Sequence, residues 1–289
     1  MFSICQAWSK HEPLTVGFSV QAFEQLASLV EELAKHCVNM YPADAHEFRA
    51  QCKEIGILGV EGSASAAQDL RSLVVQSRIW MVLQRRIFEP FLFISEYGAL
   101  ERLGLGKSLA TVAWMIRRKS LRRETIWRSL TMQAIYASAY GRKAAAATAA
   151  SVAMEIMQAI PAAMGATVVE YDSALLYGVR LVAKAAVQIW RRARLELDSV
   201  RSSMPVAHAA GGSGSPTDVL LWVRPHVTRE GLMDELGFGK LDAVEAYSPS
   251  LGSHVLLQGT VLRQDSSLEP ATSQECDGEM SKRHQGRTL

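Results

Sequence analysis

The sequence predicts a mainly α protein: a multi-helix bundle, then a small α/β C-terminal appendage and a disordered tail. Three observations predict it. Apolar residues recur at three- and four-residue steps through most of residues 18–201, the periodicity of one helix face. Alanine is abundant in the middle while β-branched runs are few, which favours helix. Hydrophobic residues make up 48% of 289 residues and charged ones 21%, enough apolar content for a core and too much for a disordered chain.

The first element spans 18–38, where Phe23, Leu26, Leu29, Val30, Leu33 and Cys37 share one face. Tyr41-Pro42 ends it, and 44–54 reads as a shorter helix. Gly56, Gly59 and Gly62 then make 55–66 a loop or hinge. From Asp69 a second helix places Leu70, Leu73, Val74, Trp80, Met81, Ile87 and Phe88 on its apolar side. Arg71, Arg78 and Arg85 recur every seven residues on another face. Pro90 stops or kinks this helix, because it lacks an N–H and disfavours helix just before it. A glycine turn at Gly104 and Gly106 follows.

Residues 108–140 read as one long helix, or as two broken near Ser120, which would cap the second. In that second segment Trp127, Leu130, Ala134 and Ile135 are expected to face inward, with Gly141 as its C-terminal stop. The alanine- and methionine-rich stretch 144–164 carries Pro161 and is the candidate central helix, since alanine permits close helix approach. The next helix runs over 172–200, from Asp172 to about Arg201. Residues 204–217, rich in glycine and serine, read as a linker. In 218–263, the strand-like runs VLLWV (219–223) and HVLLQGTVL (254–262) flank an expected helix near 228–236. These strands are expected to pair with each other or with the N-terminal third. The polar tail 264–289 completes the chain. The resulting division is 1–69 as N-terminal helices, 70–203 as the helical core, the linker, the appendage and the tail.

Charge is unevenly distributed. The formal net charge is +2, yet residues 70–143 hold 14 basic and 4 acidic side chains. Residues 1–69 hold 4 and 9, and 204–289 hold 7 and 11. Within the basic block, Arg117, Arg118, Lys119, Arg122, Arg123 and Arg128 cluster, with Arg78, Arg85 and Arg86 in the same region and Trp114 and Trp127 flanking. Such a face suits an acidic protein partner. It also suits nucleic-acid phosphates through salt-dependent contacts, or anionic lipid headgroups. Solvated surface that pairs with the acidic ends is the plain alternative, and the tryptophans are expected in the core. Ser120 and Thr125 follow basic residues, a pattern that basic-directed kinases favour, and a phosphate there would cut local positive charge.

Other motifs carry less. Gly104-Leu105-Gly106-Lys107-Ser108 resembles the end of a phosphate loop, but Glu101 stands where that motif needs glycine and no strand precedes it. Gly211-Gly212-Ser213-Gly214-Ser215 lacks the final glycine of a nucleophile elbow. His36, Cys37, His46 and Cys52 lack paired ligand spacing, and Cys37 is expected in the core. No catalytic, cofactor-binding or metal-ligating set emerges. The stretch 144–169, whose one charge is Glu155, is long enough to cross a bilayer, but Glu155, Pro161 and its alanines oppose insertion.

Four scattered cysteines argue against a disulfide scaffold and for a reducing compartment. The opening MFSICQAWSKHEPL lacks the basic and apolar regions of a secretory signal, and Glu12, Glu24, Glu31 and Glu32 oppose a transit peptide. Cytoplasm or nucleus is the expected location. Arg78-Ile79-Trp80 followed by Ile87-Phe88-Glu89-Pro90-Phe91 resembles a group of filamentous-fungal helical proteins over about twenty residues. That group has no assigned function, so the resemblance implies a cytoplasmic or nuclear helical protein and no activity. The functional expectation is a non-enzymatic interaction or scaffold protein that binds an acidic partner through its basic helical face. A nuclear or nucleic-acid-associated factor and a membrane-associated helical protein are the alternatives.

Overall fold

Among the described residues six α-helices form along the apolar periodicity: α1 (Val16–Met40), α2 (Ala64–Leu83), α3 (Leu105–Lys119), α4 (Leu121–Ala137), α5 (Ala139–Met164) and α6 (Ser173–Leu195). The described residues after them hold six short strands: β1 (Ser199–Ser203), β2 (Val219–Arg224), β3 (His226–Glu230), β4 (Ser253–Leu257), β5 (Thr260–Arg263) and β6 (Leu268–Pro270). This computed structural model describes residues 16–40, 64–89, 105–164, 173–196, 199–204, 219–230, 253–263 and 268–270. The expected helix at 44–54, the turn at Gly104 and the glycine-rich segment 211–215 lie outside them.

The protein is mainly α, as predicted. Helices α1, α2, α5 and α6 close a four-membered ring, with α1 against α2 and α6, and α5 against the same two. Phe23, Leu26, Val30, Leu33 and Cys37 of α1 are buried, as their spacing requires. From α2 come Ile79, Trp80 and Leu83, from α5 Val152, Ile156 and Ile160, and from α6 Val179, Val182 and Trp190. Burial of each large side chain contributes roughly 1.5–3 kcal/mol. Small residues let α1 and α6 approach closely, since a Cβ added at Gly178 would sit 3.0 Å from Leu33 Cδ1.

Helix α2 begins at Ala64, inside the expected loop, and closes in a π-helical turn over Gln84–Phe88. That turn brings Phe88 onto Trp190, with ring centroids 5.0 Å apart. The arginines spaced by seven do not form one solvated stripe: Arg71 is buried, Arg78 half-buried and Arg85 exposed. Helix α5 is a wall of the ring and not its centre. Ala146, Ala147, Ala150, Met154 and Gln158 line a solvent-facing stripe along it. Alanine on this helix therefore serves solvent as well as packing. Pro161 stands in the last turn of α5, where it has no N–H to give the Met157 carbonyl and three residues of helix remain.

The strands correct three expectations. Helix α6 stops at Leu195, and 199–203 is strand β1, paired antiparallel with β3. A buried amide fixes β1: Gln84 Nε2 donates to the Ser202 carbonyl (3.2 Å), and Ser202 Oγ donates to Gln84 Oε1 (2.7 Å). Residues 228–230, where the helix expected near 228–236 would begin, belong to strand β3, the rest of that range lying outside the described residues, and 268–270 of the expected tail are strand β6. The strands form two sheets, ordered β1-β3-β4 and β2-β5-β6. The run 219–223 does pair with part of 254–262, through β2 and β5. The chain changes sheets at Pro225, which has no N–H for a ladder, and again at Gln258-Gly259. The two corners touch, since Gly259 N–H donates to His226 Nδ1 at 3.3 Å. Trp222, Val223, Val227, Leu256 and Leu257 join the same apolar cluster as the helices.

Candidate functional site

Helices α3 and α4 form a hairpin on the ring. Its tip is built by Ser120, which is extended (φ −164°, ψ 120°) and accepts Arg123 N–H on its Oγ at 3.3 Å. This is an N-cap, and it realises the break expected there. A second serine repeats the device: Ser138 Oγ accepts Gly141 N–H at 3.0 Å and donates to the Ile135 carbonyl at 2.6 Å. Gly141 therefore opens α5 and does not end the helix before it. It must be glycine, because a Cβ there would stand 2.1 Å from the Ile135 carbonyl oxygen.

The inward face of α4 is Thr125, Arg128, Met132 and Tyr136, with Glu124 beside them. The expected inward set is displaced: Leu130 and Ala134 are exposed, and Trp127 and Ile135 are half-buried. Arg128 is 4% exposed and belongs to the interior. Its Nε lies 3.2 Å from Glu124 Oε1, and its Nη1 donates to the Arg194 carbonyl at 2.7 Å. Ser129 Oγ donates to the Leu195 carbonyl at 2.6 Å. Two α4 side chains thus satisfy carbonyls that the last turn of α6 leaves unpaired. Around them, burial raises the Glu124 carboxyl above its ordinary range, outweighing the attraction of Arg128 and Arg194. Burial and neighbouring Arg128 press Arg194 down to about 10. Burial also pushes Tyr136 up to about 12, while Arg191 stacks over its ring at 4.6 Å.

The nine basic candidates separate into four groups. Arg128 is structural. Arg85 and Arg86 both pair with Glu155 of α5, Arg86 Nε lying 3.1 Å from Glu155 Oε2; Arg86 also reaches Ser151 Oγ at 3.4 Å. The one charge of the apolar stretch is therefore matched by two arginines of α2. Arg78 is half-buried on α2, away from the hairpin in sequence. Arg117, Arg118, Lys119 and Arg123 are exposed, and Arg122 is half-buried, all at the α3–α4 tip. Among the described residues Arg117, Arg118, Lys119 and Arg123 form no ion pair, whereas Arg85, Arg86 and Arg128 all do. Arg122 buries Nε and Nη1 with no hydrogen-bond partner.

Apolar surface adjoins these cations along both helices. Val112, Trp114 and Met115 of α3 and Ile126 and Leu130 of α4 are exposed, Trp114 by 50% and Leu130 by 62%. Trp114 is thus a surface residue, with the Arg118 guanidinium 4.9 Å from its ring centroid. Sequence periodicity does not show this, because α3 is amphipathic yet buries only Ala113. Elsewhere, Gly106, Lys107 and Ser108 lie in the first turns of α3, so the Gly-Lys-Ser run is helix. Cys37 is buried, which pushes its thiol up to about 12; His46 and Cys52 lie outside the described residues. No described helix is long and apolar enough to cross a membrane.

Fold and site define a four-helix ring with two small sheets and a basic, partly apolar helical hairpin. No family model, curated protein or solved structure matches the chain.

Proposed function

We propose that the chain is a non-enzymatic interaction protein that binds an acidic, partly apolar protein segment on the α3–α4 hairpin. One observation carries this reading: four exposed cations at the hairpin tip lack an ion pair among the described residues, while exposed Trp114, Met115 and Leu130 lie on the same two helices. Cations steer an acidic partner and set its orientation, and desolvated apolar anchors supply most of the affinity. A nucleic-acid backbone would use the cations but leave Val112, Met115 and Leu130 in water. A bilayer-surface helix keeps cations along its polar flank, whereas four of these gather at one end of the hairpin.

The test is a titration of the purified chain with a fluorescent amphipathic helical peptide bearing glutamates on one face and leucines on the other. Binding should weaken about tenfold or more when Arg117, Arg118, Lys119 and Arg123 become Gln, and also when Trp114 becomes Ser. Binding to duplex DNA or RNA with a steep salt slope, in place of the peptide, would transfer the face to phosphates. Binding only to phosphatidylserine vesicles would make it a membrane contact.

A further inference from the structure

Ser120 and Thr125 both follow arginines, but the fold treats them differently. Thr125 is 2% exposed, and its hydroxyl donates to the Arg122 carbonyl at 2.9 Å. A kinase cannot reach it without dismantling α4. Ser120 is half-exposed and sits in extended backbone at the one break between α3 and α4. Arg117 and Arg118 lie three and two residues before it, and Lys119 adjoins it; all three are exposed. A kinase must draw this segment out straight. That opens the final turn of α3, held by the Ser120 N–H to the Ile116 carbonyl at 2.9 Å, and the first turn of α4, where Glu124 N–H donates to the Ser120 carbonyl at 3.1 Å; the α3 surface at these positions is already bare.

We propose that Ser120 is a phosphorylation site for a basic-directed serine kinase, and that its phosphate settles on the N-terminus of α4 and weakens the hairpin's hold on acidic partners. The regulatory half rests on the binding reading above. In the reaction Ser120 Oγ attacks the γ-phosphorus of ATP. The Oγ–P bond forms as the bond from that phosphorus to the β,γ-bridging oxygen breaks; ADP departs and the hydroxyl proton passes to the kinase. The product carries about −1.5 to −2 charge where the backbone N–H groups of a helix start point outward. Arg123 N–H already points at this oxygen (3.3 Å), so the phosphate inherits a donor in place. Arg122, two residues on, holds two N–H-bearing nitrogens with no acceptor, and Arg117, Arg118, Lys119 and Arg123 surround the break in sequence. The modification thus offsets about two of the four unmatched charges while strengthening the cap.

The experiment incubates the folded full-length chain with ATP, Mg²⁺ and a kinase that selects arginine two and three residues before serine. Phosphate is then mapped by mass spectrometry. Modification at Ser120 and none at Thr125, lost when Arg117 and Arg118 become Gln, is the expected result. The phosphorylated chain should melt at a higher temperature and bind the acidic peptide about tenfold more weakly. Two variants separate charge from capping: Ser120→Asn should bind the peptide as the parent does, and Ser120→Asp should bind more weakly. Absence of phosphate at Ser120, or a lower melting temperature on phosphorylation, overturns the proposal. If the unmodified chain ignores the peptide, the binding reading and the regulatory half have failed. The modification site is then decided by the mapping and the melting shift.

Discussion

The four-helix ring and the α3–α4 hairpin use the same residue types to opposite ends. Helix α6 buries nine residues, and α3 buries one, Ala113. Trp80 of the ring is 1% exposed, while Trp114 of the hairpin is 50% exposed and lies under a guanidinium. Cations on α2 meet a carboxylate on α5, whereas those at the hairpin tip meet none among the described residues. The contrast teaches that the ring leaves isolated apolar side chains such as Met154 and Tyr177 exposed, whereas the hairpin gathers exposed apolar side chains and cations on two adjoining helices. Helix α4 joins them, with one face built into the interior and the other into the exposed patch.

The two tryptophans give the largest test of that contrast. Trp80→Ala should cost about 3–5 kcal/mol in chemical denaturation. Trp114→Ala should stay within about 0.5 kcal/mol of the parent and yet lose peptide affinity. Equal losses would erase the distinction between ring and hairpin. The junction comes next. Arg128→Met leaves Glu124 buried without its partner and should cost about 3 kcal/mol, while the double change Arg128→Met with Glu124→Gln should recover much of it. A double variant no better than the single would mean that the Arg194 carbonyl, and not Glu124, is what Arg128 serves.

A change of about 1–3 kcal/mol is expected for Gly141→Ala, whose new Cβ meets backbone that cannot step aside. A neutral result by thermal melting would show that the α4–α5 joint yields. The smallest effect lies in pH dependence. The folded Glu124 carboxyl titrates above its ordinary value of 4.5, because burial disfavours the anion. Its contribution to stability is complete below 4.5 and fades as pH rises through the raised value. Glu124→Gln should flatten that part of the stability profile; an unchanged slope between pH 4 and 7 would place the carboxylate in better contact with water.

Legibility in the sequence followed the source of each element's stability. Helix α1 was readable because its buried side is apolar throughout, from Phe23 to Cys37. The break at Ser120 was readable because a cap is a local device. Helix α4 is harder to read because the residues it buries include Glu124, Thr125 and Arg128, and the carbonyl that Arg128 serves lies on α6, sixty-six residues away. Polar burial of this kind leaves no periodic signal. Strand β1 was hidden for a similar reason, since Ser199–Ser203 is defined by pairing with β3 and by Gln84, and not by its own composition. The basic cluster was legible as charge, but its sorting into matched and unmatched cations required Glu155 to be seen against α2.

The two sheet-changing corners carry a consequence for the order of assembly. Helix pairs such as α4–α5 and α3–α4 are adjacent in sequence and can close early. Neither sheet can be completed from one side of the 231–252 segment, because β3 needs β4 and β2 needs β5 across it. With Gly259 tied to His226, the second sheet starts where the first one ends. Folding kinetics should therefore show both sheets zipping shut together in one phase.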